Sequence, residues 1–413
     1  MNFAASGVCL GQMETSRMHK SPITDRQTVT FGDVVRNVDE SVRDPQNYGL
    51  ERYVGLEHID PESLHIQRWG LISEGTSFTR RFRKGQVLFG KRRAYQRKVA
   101  VAEFDGLCSS DILVFEPKDN HLLPELLPFI CQSDGFFEHA LDTSAGSLSP
   151  RTKFKELARY EFPLPPLDEQ RRIAEILWAA DEVIMKYLSV ISYSETLLSN
   201  LIEQEYWLKS DFKKEELVSL VKDTTGTLLD GDWIETKDMS PSGIRLIQLA
   251  DIGNGVFLNN SNKYISSDTF SRLGCTELLP GDILMSRMAD PIGRTCIIPE
   301  LGIKMITAVD CAILRIDQEN HDTKFWNFIF NTKKWYSLIQ KYSAGSTRNR
   351  ISRKNLESIF IPIPTKQEQE ILELRFNLCA EVINNTRHSL FSLSEMYKSL
   401  LNKFFPSSNN ARE

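Results

Sequence analysis

The chain has 413 residues, of which 41% are hydrophobic and 25% are charged, and its formal net charge is -5. This length predicts two domains of ordinary size, and the composition is that of a folded soluble protein. The negative balance excludes wholesale coating of nucleic acid but leaves room for local basic clusters. No apolar run approaches the ~18 residues that span a bilayer, so neither membrane insertion nor secretion is expected.

The first predicted elements belong to a globular part after an N-terminal extension. Residues 1–25 are expected to be unstructured, and Met13 or Met18 is an alternative start. Residues 26–163 then contain short runs such as "YVGLEHI", "GQVLFG" and "SDILVF", followed by a helical stretch, "LLPELLPFICQSDGFFEHAL". Residues 209–362 repeat this order. Both parts are therefore predicted to be α+β domains with mostly antiparallel sheets.

A long helix is predicted after each globular part, at residues 164–208 and 363–405, with a disordered tail at 406–413. Apolar residues alternate four and three apart in the first helix, as in a coiled-coil seam. These positions are Ile173, Leu177, Ala180, Ile184, Tyr187, Ile191, Ser194, Leu198 and Leu201. The same register recurs 199 residues later. Matched helices of this length favour an antiparallel pair over two helices that each cover their own domain.

The two halves share more than the helices. With an offset of 199, residues 143–184 align with residues 342–383, and 14 of 42 positions are identical. Average residue usage gives roughly one identity in sixteen. "FPLPPLDEQRRIAEIL" and "IPIPTKQEQEILELRF" lie in this segment. The chain is therefore a duplicated domain, divergent in its globular parts and well matched in its tails.

A basic run, "RRFRKGQVLFGKRRAYQRK", holds nine Lys and Arg residues and no acid. In a chain of negative net charge this asymmetry indicates a polyanionic partner. Arg and Gln also suit hydrogen bonding to guanine and adenine edges. The candidate DNA contacts are Arg80, Arg81, Arg83, Lys91, Arg92, Arg93, Gln96, Arg97 and Lys98. The alternative is a solvated basic face.

Weaker basic segments complete this set. "KYSAGSTRNRISRK" and its first-half counterpart "SAGSLSPRTKFK" combine cations with small residues that permit close backbone approach. A purely structural role at the joint between domain and helix is the alternative. The candidates from these segments are Arg151, Lys153, Arg348, Arg350 and Arg353. Arg287 and Arg294 are added from "RMADPIGR", the second-half counterpart of the first basic run.

Enzyme signatures are scarce. The sequence has no GxxxxGK[ST], GxGxxG, HExxH or GxSxG motif. Asp105 with Glu116-Pro117-Lys118 imitates the acidic metal motif of nucleases, but a proline separates the key residues and the second half has no equivalent. The seven cysteines lack metal-binding spacing and are interpreted as free thiols of a reducing cytosol.

With these motifs in view, the chain resembles the specificity subunit of Type I restriction-modification enzymes. "PLPPLDEQRRIAEIL", "PIPTKQEQEILELRF", "YVGLEHID" and "LIQLADIGNG" carry the resemblance. It implies that each domain recognises one half of a bipartite double-stranded DNA target. It also implies partners: two methyltransferase subunits docked on the helices, and two restriction subunits that translocate DNA.

The resemblance further implies a non-catalytic chain without cofactor or metal, in the cytoplasm of a bacterium or archaeon. S-adenosylmethionine, ATP and Mg²⁺ would belong to partner subunits. The expected fold is α+β: two tandem target-recognition domains separated by two long antiparallel helices that form a coiled-coil spacer, duplicated about a pseudo-twofold axis. The residues expected to dock subunits or build the spacer are Glu169, Gln170, Ile173, Leu177, Ile184, Glu368, Gln369, Leu372, Phe376 and Ile383.

Two other functions stay open at this point. The first is a scaffold in which the helix pair joins two protein-binding domains, and the basic run counts against it. The second is a Mg²⁺-dependent nuclease that uses Asp105 and Glu116.

Overall fold

The computed structural model describes residues 27–221, 227–288, 291–345 and 349–406. The chain forms two compact units, one of Met1–Met185 with Phe391–Glu413 and one of Lys186–Leu390. The predicted extension at 1–25 lies outside the described residues, as does the predicted tail from residue 407 onward. Within the described residues, no helix has the length and apolar character needed to cross a membrane.

The described residues of the first unit form ten strands and four short helices, followed by the start of a long helix. The strands are β1 (Gln27–Thr30), β2 (Val35–Asn37), β3 (Arg52–Val54), β4 (Gly70–Leu71), β5 (Arg80–Phe82), β6 (Val87–Gly90), β7 (Val99–Val101), β8 (Gly106–Cys108), β9 (Ile112–Pro117) and β10 (Glu161–Leu164). The helices are α1 (Phe31–Val34), α2 (Leu127–Gln132), α3 (Asp134–Asp142), α4 (Phe154–Leu157) and α5 (Leu167–Ile202).

Two four-stranded sheets organise this unit, in the orders β2-β9-β6-β7 and β4-β3-β8-β5. All neighbours are antiparallel except β3 and β8. The strand β10, which holds the Pro-x-Pro, pairs with β1 and leads into α5. Ser133 separates α2 from α3 because its hydroxyl accepts the Phe136 N–H and caps α3. Buried phenylalanines, among them Phe89 and Phe115, fill the core against α2 and α3.

The second unit repeats this plan. Its strands are β11 (Lys213–Glu216), β12 (Thr227–Asp230), β13 (Met239–Ser240), β14 (Ile244–Ile247), β15 (Lys263–Ile265), β16 (Ile283–Ser286), β17 (Thr295–Ile297), β18 (Met305–Thr307), β19 (Cys311–Arg315) and β20 (Phe360–Ile363). Its helices are α6 (Ser267–Leu273), α7 (Thr323–Ile329), α8 (Lys333–Tyr342), α9 (Arg353–Glu357) and α10 (Lys366–Phe404).

Comparison of the sheets shows which part of the duplication diverged. The sheet β12-β19-β16-β17 has the order of its first-unit counterpart, and β11 pairs with β20 as β1 pairs with β10. The other sheet has the order β13-β15-β14-β18, so its edge strands differ from those of β4-β3-β8-β5. Each unit thus joins one shared sheet to one that is built differently, which confirms a duplicated α+β fold.

The long helices α5 and α10 contribute to both units. In the first unit, Leu177 of α5 shares a buried core with Leu401 of α10. In the second unit, ion pairs join Glu195 to Arg387 and Glu205 to Arg375. The partner of the later glutamate has the lower residue number in α10, so the two helices run antiparallel, as predicted. The predicted seam positions are all buried or half-buried in both helices.

Candidate nucleic-acid interface

The loop between β6 and β7 meets a second basic segment in the first unit. Arg92 and Arg151 form an isolated antiparallel bridge. The N–H of Arg93 donates to the carbonyl of Pro150 at 2.8 Å, and the N–H of Thr152 donates to that of Lys91 at 3.0 Å. Two basic runs that are 50 to 60 residues apart in sequence therefore form one surface.

One carboxylate organises this surface. Asp111 accepts hydrogen bonds from Arg151 at 2.8 and 3.2 Å, and Arg92 lies 3.5 Å away. The hydrogen bond from Arg151 lowers the pKa of Asp111, so the carboxylate stays charged. Burial, and then the nearby Arg80, lower the pKa of Lys91. We call Lys91, Arg92, Arg151 and Asp111 the Asp111 cluster, in which three cations face one carboxylate.

The second unit builds a counterpart, the Asp310 cluster, from Arg287, Arg350 and Asp310. The N–H of Arg287 donates to the Asp310 carbonyl at 2.8 Å, as that of Lys91 donates to Asp111 at 3.0 Å. Arg350 lies 3.6 Å from the Asp310 carboxylate. The clusters differ in detail because Met288 takes the bridging position of Arg92. The duplicated fold thus presents a basic cluster at the same place in each unit.

Nearby cations of the second unit are partly committed to other contacts. The Arg287 guanidinium is buried against Asp230, and burial lowers its pKa. Arg353, half exposed, lies 3.9 Å from the same carboxylate. Arg294 is half-buried and donates to the carbonyl of Leu249 at 3.0 Å. Arg348 lies outside the described residues.

The cations of β5 and the residue after it are held by acids. Arg80 lies 2.9 Å from Asp39, and Arg81 and Arg83 lie 3.1 and 2.6 Å from Glu40. Only 16% of the Arg80 and Arg81 side chains is exposed. These two arginines are therefore placed to stabilise the sheet, whereas Arg83 is more open.

The tip of the loop has a fixed shape. Arg93 and Arg97 both adopt left-handed backbone conformations around a single helical turn. Arg97 lies 2.7 Å from Asp134 and stacks on Phe137, and Lys98 donates to the carbonyl of Leu56 at 2.6 Å. These anchors leave the half-buried Gln96 and the 56% exposed Tyr95 at the surface.

Sequence reasoning missed Tyr95 and the two aspartates. An aromatic residue inside a basic run was a usable signal for Tyr95, because bases stack on aromatic rings. Asp111 and Asp310 are 199 residues apart, which is the offset that aligns the matched tails. The surrounding globular parts are too divergent for this equivalence to be recognised from the sequence. Lys153, a predicted DNA contact, is exposed and follows Arg151 of the Asp111 cluster by two residues.

The acids of the nuclease alternative have other partners. Asp105 accepts the N–H of Lys84 at 2.9 Å, and Glu116 lies 2.5 Å from Arg36. Among the described residues, no group of three or more His, Cys, Asp or Glu side chains is placed to hold a metal ion. Six cysteines are free thiols, five of them buried, and Cys9 lies outside the described residues.

The repeated Glu-Gln organises the start of each long helix. The buried Gln170 accepts the N–H of Leu123 at 2.9 Å and donates to the carbonyls of His121 and Pro165. Gln369, equally buried, accepts the N–H of Asp322 at 2.8 Å and donates to the carbonyl of Pro364. Each glutamine therefore fastens a loop to the helix start, and the residue acts within its own unit.

The adjacent glutamates are less alike. Glu368 accepts the N–H of Thr365 at 2.9 Å and its hydroxyl at 2.8 Å, which lowers the pKa of Glu368. The Thr365 hydroxyl in turn accepts the N–H of Glu368 at 3.4 Å, so Thr365 caps α10. Glu169 lies in the first turn of α5 and is half-buried. Asp168 is one residue inside α5.

The remaining predicted spacer residues face inward. Ile173, Leu177, Leu372, Phe376 and Ile383 are buried, and Ile184 is half-buried. A second apolar stripe, not predicted, is exposed on the same helices. It contains Ile176, Val183, Val190, Tyr193 and Leu197 of α5, and Ile371, Leu374, Leu378, Val382 and Met396 of α10.

Two pairs in this stripe repeat at the offset of 199. Val183 and Met396 lie in the first unit, and Val382 and Leu197 take the equivalent positions in the second. The ion pair of Glu195 with Arg387 places Leu197 and Val382 within about one helical turn of each other along the helix pair. Each unit thus presents an equivalent apolar patch.

Comparisons with known proteins agree with this duplicated architecture. A profile of the Type I restriction modification DNA specificity domain matches residues 66–189 and 243–379. The chain is 25% identical to the Type I restriction enzyme EcoDI specificity subunit of Escherichia coli, over 42% of this chain and only 40% of that relative's length. It is 23% identical to the putative type I restriction enzyme MjaX specificity subunit of Methanocaldococcus jannaschii, over 90% and 89% of the two chains.

Solved structures share the fold. One is a chain from work on complex assembly and conformational transition of the type I R-M system. It has 21% identity and a TM-score of 0.55, over 92% of this chain and 97% of that chain.

Proposed function

The chain belongs to the Type I restriction modification DNA specificity family, and on that premise we propose that it is the two-headed DNA reader of a restriction-modification complex. Each unit binds one half of a bipartite double-stranded target. The observation that carries this proposal is the pair of matched clusters around Asp111 and Asp310. Both clusters come from the shared sheet and the segment before the long helix.

Binding divides between the shared and the divergent parts of each unit. Arg92 and Arg151 of the Asp111 cluster and Arg350 of the Asp310 cluster hold phosphates, because guanidinium groups neutralise the DNA backbone irrespective of sequence. Sequence is read by neighbouring side chains such as Gln96 and Tyr95 in the first unit. The second sheet, whose edge strands differ between the units, gives each half-site its own reader.

The helices supply spacing and docking. With 36 and 39 residues, α5 and α10 are about 54 and about 58 Å long. The equivalent patches, Val183 with Met396 and Val382 with Leu197, dock two copies of a methyltransferase subunit, since like patches bind like partners. Restriction subunits join this assembly, as expected for a type I R-M system that undergoes complex assembly.

The chain itself is a non-catalytic component of the cytoplasm in this proposal. S-adenosylmethionine, ATP and Mg²⁺ act in partner subunits, which carry out adenine methylation and ATP-dependent cleavage. This chain's own residues bind DNA, set the distance between half-sites and position the partners.

Selection from random-sequence DNA tests the proposal. The chain is mixed with a methyltransferase subunit from the same cell, and the retained DNA is sequenced. We expect a split motif with a fixed gap. Arg92→Ala combined with Arg151→Ala weakens retention, whereas Arg159→Ala, which removes an exposed arginine paired with Glu156, leaves it unchanged. Retention without any enriched motif, while the partner still binds, overturns the reader and favours the scaffold.

A further inference from the structure

The second unit contains a cleft of about 560 Å³ beside α10. The end of α5, the helix α7 and the loop at 254–256 form its other walls. Leu198, Ile202, Phe328 and Ile383 give it an apolar lining, to which Asn327 and Asn377 add amides. We call this space the α10 cleft.

The residues of the first unit that are equivalent to those of the α10 cleft can be identified from the offset of 199. The offset of 199 holds structurally here, because Ser133 and Thr332 cap α3 and α8 in the same way. Gln170 and Gln369 fasten equivalent loops at the same offset. Asn377 is therefore the counterpart of Trp178.

Trp178 occupies that space in the first unit. Its ring centroid lies 5.0 Å from that of Phe129, in an edge-to-face arrangement. Its indole N–H donates to the carbonyl of Glu125 at 2.9 Å. His65 also packs there, with its ring 6.4 Å from Trp178. The second unit keeps Phe328 as the counterpart of Phe129, but Asn377 is too short to reach across the cleft.

Three exposed apolar side chains lie on α10 outside the lining of the cleft. Ile371, Leu374 and Leu378 are 54%, 59% and 57% exposed. Their first-unit counterparts are Arg172, Glu175 and Ala179. In the first unit, Trp178 fills the space that corresponds to the cleft, and charged or small residues replace these three apolar side chains.

We propose that the α10 cleft binds the tryptophan side chain of a partner protein, one copy per chain. The indole takes the place that Trp178 fills in the first unit, edge-to-face with Phe328. Flanking apolar residues of an amphipathic segment pack against Leu198 and Ile202 in the wall of the cleft. Large aromatic anchors in preformed pockets carry most of the binding energy of such contacts. This inference does not depend on DNA reading.

Methyl NMR of the full chain tests the proposal, with labelled isoleucine δ-methyl groups as reporters. Ile202, Ile297 and Ile383 line the cleft, and isoleucines of the first unit serve as internal references. The probes are a short amphipathic helical peptide with one tryptophan, its Trp-to-Ala copy, and N-acetyl-tryptophanamide. We expect the tryptophan peptide to shift the cleft methyl groups in a saturable manner. The alanine copy should bind at least about tenfold more weakly.

Asn377→Trp supplies the plug that the first unit already has, and Asn377→Phe is a smaller version. Either substitution should weaken peptide binding at least about tenfold. The matched control is Asn385→Trp, which adds an exposed indole to the same helix outside the cleft and should leave binding unchanged.

Three results overturn the proposal: no saturable shift in the unaltered chain, equal binding by the alanine copy, or binding that survives both Asn377 substitutions. Binding of N-acetyl-tryptophanamide as tight as that of the peptide makes the cleft a small-molecule site and also overturns the partner segment.

Discussion

The Gln170 side chain accepts the backbone N–H of Leu123 at 2.9 Å, across 47 residues of sequence. Gln369 and Asp322 repeat this bond in the second unit at 2.8 Å, again across 47 residues. The glutamine is the same residue that marks the duplicated motif in the sequence. Its repetition therefore has a structural cause: each domain must be fastened to the helix that follows it.

Replacing either glutamine by leucine should destabilise its own unit. Gln170→Leu leaves the N–H of Leu123 and two carbonyls without this partner inside the protein, which costs about 3 kcal/mol or more at roughly 1–3 kcal/mol per unsatisfied group. Gln369→Leu should act alike in the second unit. Urea unfolding, followed by fragments from limited proteolysis, reports which unit opens. Gln367→Leu, exposed on α10, is the control. A loss below about 1 kcal/mol for both buried positions contradicts the fastening role.

The Asp111 cluster should govern the salt dependence of DNA binding. Arg151→Ala removes one cation of the proposed phosphate contact, so the slope of log K against log salt should fall by about 1. Arg350→Ala should do the same in the second unit. Asp111→Asn should have the opposite effect, since the carboxylate that accepts the Arg151 hydrogen bond loses its charge. Fluorescence anisotropy with random-sequence duplexes measures all three.

Arg159→Ala serves as the control for these measurements, because Arg159 pairs with Glu156 three residues away and belongs to neither cluster. Unchanged slopes for both Arg151→Ala and Arg350→Ala would remove the clusters from the DNA interface.

How much of the structure could be predicted from the sequence depends on how far apart in the chain the interacting residues are. The helix seam follows from local periodicity, so Leu177 and Phe376 were predicted to be inward and are buried. The meeting of Arg92 with Arg151 depends on how a strand loop folds against a distant segment, which no local pattern encodes. The exposure of Val382 and Leu197 could not be predicted, because the sequence does not show which apolar positions of a long helix are buried by its neighbours.

The His65 contacts predict a pH dependence of the first unit. His65 lies 2.7 Å from Asp181 of α5 and 3.0 Å from Glu103. Hydrogen bonding to Asp181, against the cost of burial, raises the pKa of His65 to about 9 from 6.5. The folded state therefore binds the proton more tightly. The contribution to stability is complete below about pH 6.5 and is lost as the pH rises through about 9.

Thermal unfolding between pH 6 and pH 9.5 measures this loss, which should be on the order of 1–3 kcal/mol after allowance for partial solvent screening. His65→Gln should flatten the profile in that window. His121→Gln, whose side chain is 80% exposed, should keep it. A profile that is the same for the unaltered chain and His65→Gln rules out the ion pair as its cause.

The equivalent apolar patches predict the stoichiometry of docking. Glutamate at both Val382 and Leu197 should remove one of two methyltransferase subunits, because a charge that is buried at an interface must be desolvated without a partner. Glutamate at both Val183 and Met396 should remove the other. Native mass spectrometry of the co-expressed complex counts the copies, and the combined quadruple variant should bind none.

The matched control places glutamate at Asn385 and Ser389, two exposed polar positions of α10 outside the cleft, and should retain both copies. Loss of both copies from a single double variant would mean that the two subunits bind cooperatively through each other. Retention of both copies by the quadruple variant would exclude these patches as the docking surface. One copy lost per altered unit is the result that explains why the chain repeats its helices while its recognition sheets diverge.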